Sequence, residues 1–62
     1  MLIQTQRGWL RCSAVTETKV ESWSDGWAIA YRTPQDWVWG IERHESKDVA
    51  LKAARLALEV GE

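Results

Sequence analysis

Stretches of ordered hydrophobic and polar positions are separated by Gly8, Ser24-Asp25-Gly26, Thr33-Pro34-Gln35-Asp36 and Gly40, and Gly61 closes the last of them. Glycine, proline and short polar clusters of this kind mark turns. From residue 10 onward the pattern alternates. Leu10, Cys12, Ala14, Thr16, Thr18 and Val20 fall on one side and Arg11, Ser13, Glu17, Lys19 and Glu21 on the other, with Val15 the apolar exception on the polar side. Period two over this length predicts one long strand, residues 10–22, apolar on one face and solvated on the other. Beyond the Ser24-Asp25-Gly26 turn, Trp27-Ala28-Ile29-Ala30-Tyr31-Arg32 predicts a second strand over residues 27–33. Trp37-Val38-Trp39-Gly40-Ile41-Glu42 predicts a third over residues 36–43. Short turns between them make an antiparallel meander.

After Ser46 the period changes. Ser46 is a good N-cap, Asp48 places negative charge near the positive helix end, and Gly61 is the expected stop, so a helix is predicted over residues 47–60. At 100° per residue, Val49, Ala50, Ala53, Leu56, Ala57 and Val60 form an apolar stripe opposite a narrow polar one of Asp48, Lys52, Arg55 and Glu59. The expected fold class is α+β, a three-stranded antiparallel β-sheet packed on one C-terminal α-helix (βββα), in a single domain spanning residues 1–62.

Leu51, Ala54 and Leu58 fall outside that stripe, so the helix is apolar over more than half its circumference. Either the N-terminal segment, with Leu2, Ile3 or Trp9, folds over them, or the two leucines sit on the surface, or the three residues form a dimer or partner contact. The second hairpin poses a similar question, because both of its phases are apolar. A two-residue loop, Pro34-Gln35, sets Tyr31 against Val38 and Trp39 against Ala30, mixing large and small residues on each face. A loop one residue longer or shorter gathers the large residues on one face and leaves Ala28, Ala30, Val38 and Gly40 on the other. Pro34 disfavours the primed two-residue turns, which favours the second arrangement, a Trp-rich sheet face against an Ala-rich helix.

Size sharpens the role of tryptophan. A chain of 62 residues buries a thin core, and with one cysteine and one histidine it has neither an intramolecular disulfide nor a four-ligand zinc shell to reinforce it. Oligomerisation and aromatic bulk remain, and five tryptophans point to a core built on Trp. Trp27, Trp37 and Trp39 are read first as core. The competing reading is an aromatic binding surface, for which Trp9, Trp23 and Trp27 are the candidates, Trp9 and Trp23 because they lie at strand ends.

The formal net charge of −1, with acids and bases interspersed, weighs against a dedicated nucleic-acid binder. A lone cysteine and the absence of a signal-like apolar run lead to an expectation of a cytoplasmic protein, and no apolar run approaches the length of a membrane span. Cys12 and His44 have no sequence-local catalytic partner, no glycine-rich loop carries a phosphate signature, and the acids lack calcium-loop spacing. No enzyme, cofactor, metal or small-molecule substrate is expected.

Two resemblances enter over residues 20–60. The stretches DGWAI (residues 25–29) and SKDVALKAAR (residues 46–55) resemble short bacterial proteins of unknown function with a DGWAV-like strand and an AAR-type helix, which implies a fold but no activity. More distantly, WAIAYR and WVWGIE followed by a helix are similar to the three-strand-plus-helix DNA-binding domain of plant ethylene-response factors and phage integrase arm-binding domains. That resemblance implies a sheet face laid in the major groove, with Ala28, Ala30, Arg32 and Val38 on the reading face, of which only Arg32 has the required chemistry. The leading expectation is a non-enzymatic interaction module, a bacterial or phage-type accessory or regulatory protein that binds a protein, either a second copy or a foreign partner. The alternative is a sheet-face DNA-binding domain contacting nucleic acid through Arg11, Lys19 and Arg32.

Overall fold

The structure, a computed structural model, describes residues 2–60 apart from the side chain of Val60, so Gly61 as helix stop lies outside the described residues. Its elements are β1 (Leu2–Thr5), β2 (Gly8–Arg11), β3 (Glu17–Trp23), β4 (Gly26–Arg32), β5 (Trp37–Trp39) and α1 (Lys47–Val60). Strands β3, β4 and β5 form the expected antiparallel sheet, with β4 central, and α1 packs on one of its faces. The class is α+β. A second, two-stranded sheet, the β1–β2 hairpin, is added to it.

The long strand predicted over residues 10–22 is therefore two strands with a break between them. Cys12–Ala14 make a single 3-10 turn, closed by the Val15 amide donating to the Cys12 carbonyl at 3.0 Å. In such a turn side chains three apart point the same way, so Cys12 and Val15 both enter the core. Val15, the misfit in the alternating pattern, is the residue that the turn buries. The hairpin then docks beside β5: the Gln6 amide donates to the Trp39 carbonyl at 3.0 Å, the Ile41 amide to the Gln4 carbonyl at 3.3 Å, and Thr5 pairs with Gly40.

The register of β4 against β5 sets Tyr31 against Val38 and Ala30 against Trp39. This is the two-residue loop, not the alternative that Pro34 favoured. Thr33 explains it. Its hydroxyl accepts from the amides of Gln35 (3.3 Å) and Asp36 (3.2 Å) and donates to the Asp36 carbonyl (3.0 Å), while the Thr33 amide donates to the same carbonyl at 2.8 Å. No described non-glycine residue has positive φ, so the turn is unprimed, and side-chain bonds hold what backbone twist alone would splay. The third strand is correspondingly short. After Gly40 the chain leaves β4 and returns only at His44, whose amide and carbonyl both pair with Trp27. Gly26 permits that return: its φ is +132°, and a Cβ there would stand 2.9 Å from the His44 carbonyl oxygen.

The helix is capped as expected, with the Val49 amide donating to Ser46 Oγ at 3.3 Å. Its buried ridge differs from the predicted stripe. Ala50, Ala54 and Ala57 meet Ile29, Tyr31, Cys12 and Val15 in the core, with Ile3, Leu10, Val20, Trp27 and Ala53 packed around them. Val49 and Leu56, predicted to face the sheet, are 48% and 51% exposed, and Leu51 and Leu58 on the opposite flank are 38% and 40% exposed. The cause is packing: the large residues Ile29 and Tyr31 project from the sheet, and close approach is possible only where the helix is smallest. Ala54, grouped with Leu51 and Leu58 as a contact surface, is an interior residue. The hairpin carrying Leu2, Ile3 and Trp9 lines the Ala53–Leu56 side of the helix and not the Leu51–Leu58 side.

Because alanines set the helix-to-sheet distance, Ala54→Leu should overpack the core and lower stability by about 1–3 kcal/mol. Leu58→Ala, on a half-exposed flank, should cost less than about 1 kcal/mol. Urea unfolding of both variants checks this, and a larger loss from Leu58→Ala would mean that the leucines face the sheet.

Candidate functional site

Alternation along three registered strands decides what lies opposite the helix. Glu17, Lys19, Glu21 and Trp23 of β3 share a face with Ala28, Ala30 and Arg32 of β4 and with Trp37 and Trp39 of β5. Ala28 and Ala30 have no side-chain bulk, yet they are fully buried, because larger neighbours from the outer strands lie over them. The Trp23 and Trp39 rings meet across the middle strand, centroids 4.8 Å apart and tilted by 51°. Such aromatic pairs contribute about 0.5–1.5 kcal/mol beyond the area they bury.

Cations complete the layer. Lys19 Nζ lies 4.8 Å from the Trp37 centroid and 5.6 Å from that of Trp39, and the Arg32 guanidinium stands 5.9 Å from Trp37. Arg43 reaches Trp23 at 4.2 Å. Its position is fixed by three acceptors: Nε donates to Asp25 Oδ1 at 3.2 Å, and Nη1 donates to the carbonyls of Gly40 and Glu42 at 3.1 and 2.9 Å. The backbone excursion between Gly40 and His44 thus places a cation over the end of the face. Three acids, Glu17, Glu21 and Asp25, stand among these three cations, with Lys19 Nζ 3.9 Å from Glu21, so the face is rich in charge but balanced. All three tryptophans are half-buried, and their outer surfaces remain open.

The expected site residues distribute as follows. Lys19 and Arg32 lie on this face, and Arg11 lies on the added hairpin, outside the three-stranded sheet. Of Trp9, Trp23 and Trp27, only Trp23 belongs to it: Trp27 packs toward the core on the helix side, and Trp9 is 67% exposed on β2. Trp37 and Trp39, read first as core, are the centre of the open face. Ala28, Ala30 and Arg32 share that face as the distant resemblance implied, but Val38 points to the helix side opposite Tyr31. The signal that finds the site is the polar phase of β3 combined with Thr33 as the turn-setting residue; together they put Lys19 level with Trp39.

A second feature lies on the other side of the sheet. A cleft of about 260 Å³ opens between the β1–β2 hairpin and α1, walled by Leu2, Ile3, Trp9, Ile29, Leu56 and Ala57. Tyr31, Glu42 and His44 supply its polar part, with His44 Nε2 3.9 Å from the Glu42 carboxylate. Burial, with the negative charges of Glu42 and Cys12 adding to it, pushes the Tyr31 phenol up from 10.0 to about 12. The folded state therefore keeps a proton that the unfolded chain releases above pH 10. Stability is fully present below that pH and falls as the pH rises toward 12. The loss attributable to Tyr31 is at most about 2–3 kcal/mol. Tyr31→Phe should show a flatter decline of thermal midpoint between pH 10 and 12, and identical alkaline profiles would contradict the assignment.

No helix among the described residues is long and apolar enough to cross a membrane. No protein-family model matches this chain, no curated protein matches it, and no solved structure matches it, so the functional reading rests on the side chains themselves.

Proposed function

We propose that the protein is a non-enzymatic interaction module that binds a protein partner through the open face of its sheet. The observation that carries this reading is the composition of that face: three half-open tryptophans with Lys19, Arg32 and Arg43 stacked on them, at zero net charge. Tryptophan and arginine are the residues most enriched among those that dominate protein interfaces, and a rigid sheet presents them with little entropy left to lose. Balanced charge suits a partner surface of mixed sign and weakens any pull on a polyanion. A bacterial or phage-type accessory role is consistent with the small size and the resemblance over residues 20–60.

One observation favours the second reading, a nucleic-acid-binding sheet. Lys19 and Arg32 both stand within about 6 Å of the Trp37 ring, at 4.8 and 5.9 Å, which joins an aromatic on which a base can stack to cations that can reach phosphate. The two readings separate on salt. Retention on heparin, a polyanion whose sulfates stand in for the phosphates of nucleic acid, collapses between about 50 and 200 mM salt, whereas an aromatic protein contact does not.

The deciding experiment is affinity capture from a bacterial extract, with and without nuclease, by the wild-type chain, by Lys19→Glu/Arg32→Glu and by Leu51→Glu/Leu58→Glu. A nuclease-resistant protein retained by the wild type and the helix variant but lost by the sheet variant, with at least about tenfold weaker binding on titration, is the expected result. Capture unaffected by the sheet variant would reject the face as the site. Capture abolished by nuclease, with steep salt dependence, would replace the protein reading by the nucleic-acid one.

A further inference from the structure

The cleft between the β1–β2 hairpin and α1 is independent of the sheet face and lies on the opposite side of the sheet. At about 260 Å³ it is just below the range of about 300–1,000 Å³ usual for small-molecule sites, so it has room for one ring or a short chain. Its walls are largely apolar, and three large hydrophobic residues that are exposed, Leu2, Trp9 and Leu56, are among those that line it. Such residues converge without a covering element, although the neighbouring Ile3 and Leu10 are drawn into the core. At the polar end stand the Tyr31 phenol, the Glu42 carboxylate and His44. The lining includes one acid, no lysine or arginine, and a single imidazole, His44, whose Nε2 stands 3.9 Å from the Glu42 carboxylate. Arg43, beside Glu42 in sequence, is turned away to Trp23 and Asp25 on the other face, so it does not neutralise the carboxylate within the cleft.

We infer that this cleft binds a small aralkylamine, an apolar ring seated against Ile29, Ala53, Leu56 and Ala57 with its ammonium directed to Glu42 and the Tyr31 oxygen. The complementarity is of both shape and sign: the apolar walls take the ring, and the acceptor-rich end takes a cation. The phenol retains its proton throughout the physiological range, so its oxygen is a neutral acceptor and adds no second charge. No sequence motif announces the site because its lining comes from β1, β2, β4, the segment after β5 and α1, elements far apart along the chain. Glu42 is largely exposed, with its side chain 79% open, so charge selects the ligand while burial of the ring supplies most of the affinity.

Titration with 2-phenylethylamine, followed by backbone amide NMR shifts of Ala53, Ala57 and Tyr31, tests this directly, with phenylacetate as the isosteric acid. The amine should bind and shift these resonances, and the acid should bind at least about threefold more weakly. Glu42→Gln should weaken the amine by about two- to fivefold and narrow its preference over the acid. Gln4→Glu, an isosteric change at an exposed lining position, should strengthen it by a similar factor. Neither surface change threatens the fold, so absence of binding by the wild type, equal binding of amine and acid, or indifference to both variants would overturn the proposal. Shifts confined to Trp23, Trp37 and Trp39 would also overturn it, by placing the amine on the cation-π face instead.

Discussion

One helix can cover only one face of a sheet, and every other feature of this protein follows from that limit. The three-stranded sheet has two faces, α1 occupies one, the β1–β2 hairpin docks beside β5 and lines the same side as the helix, and no second helix among the described residues covers the other. On the helix side the contact is close because the sheet supplies bulk and the helix supplies alanine: Ile29 and Tyr31 enter against Ala50, Ala54 and Ala57. On the far side the sheet covers itself. Trp23, Trp37 and Trp39 lie down over Ala28 and Ala30, and the charged ends of Lys19, Arg32 and Arg43 stand over the tryptophan rings, that of Arg43 held there by Asp25 and two backbone carbonyls. The tryptophans that composition assigns to the core form a second, thinner core with one side open.

How far the sequence discloses this is uneven, and the unevenness has physical causes. Local signals are legible: Ser46 as cap, the Ser24-Asp25-Gly26 turn, the amphipathic run of the helix and the central strand are all where the residues place them. Quantities that depend on a competition between neighbours are not. Pro34 alone argues against a two-residue loop, but the Thr33 hydroxyl makes three hydrogen bonds that favour it, and the register that decides which tryptophans face the helix hangs on that side chain. Summed hydrophobicity turns the helix so that Val49 and Leu56 face inward and Ala54 does not; the real phase is set by distance of approach, which rewards the smallest residues. The hairpin of β1 and β2 escaped because alternation continues through Cys12 and because a single 3-10 turn leaves no mark in sequence except the misplaced Val15.

The candidate site was legible only in part for the same reason. Lys19 and Arg32 are visible as strand cations, but their stacking on Trp37 requires the β4–β5 register, and Arg43 requires the excursion between Gly40 and His44 that Gly26 accommodates. The cleft depends on the docking of a hairpin that the pattern did not reveal. Both surfaces are consequences of how a small chain disposes of excess apolar area: one is layered with cations and balanced in charge, the other is left as a concavity with a single carboxylate at its rim. These are different chemistries, and a macromolecular partner on the first leaves the second free.

The division of the tryptophans between the two sides of the sheet is the central claim, and a side-chain NOESY spectrum of the folded protein measures it. Trp27 should be the only indole of the three-stranded sheet in contact with the methyl groups of the helix alanines, while Trp23 and Trp39 show contacts to each other and Trp37 and Trp39 show contacts to the Lys19 side chain. Contacts from Trp37 or Trp39 to the methyl groups of Ala50, Ala54 or Ala57 would contradict the account, because they would place the β4–β5 register one residue away and return those rings to the core.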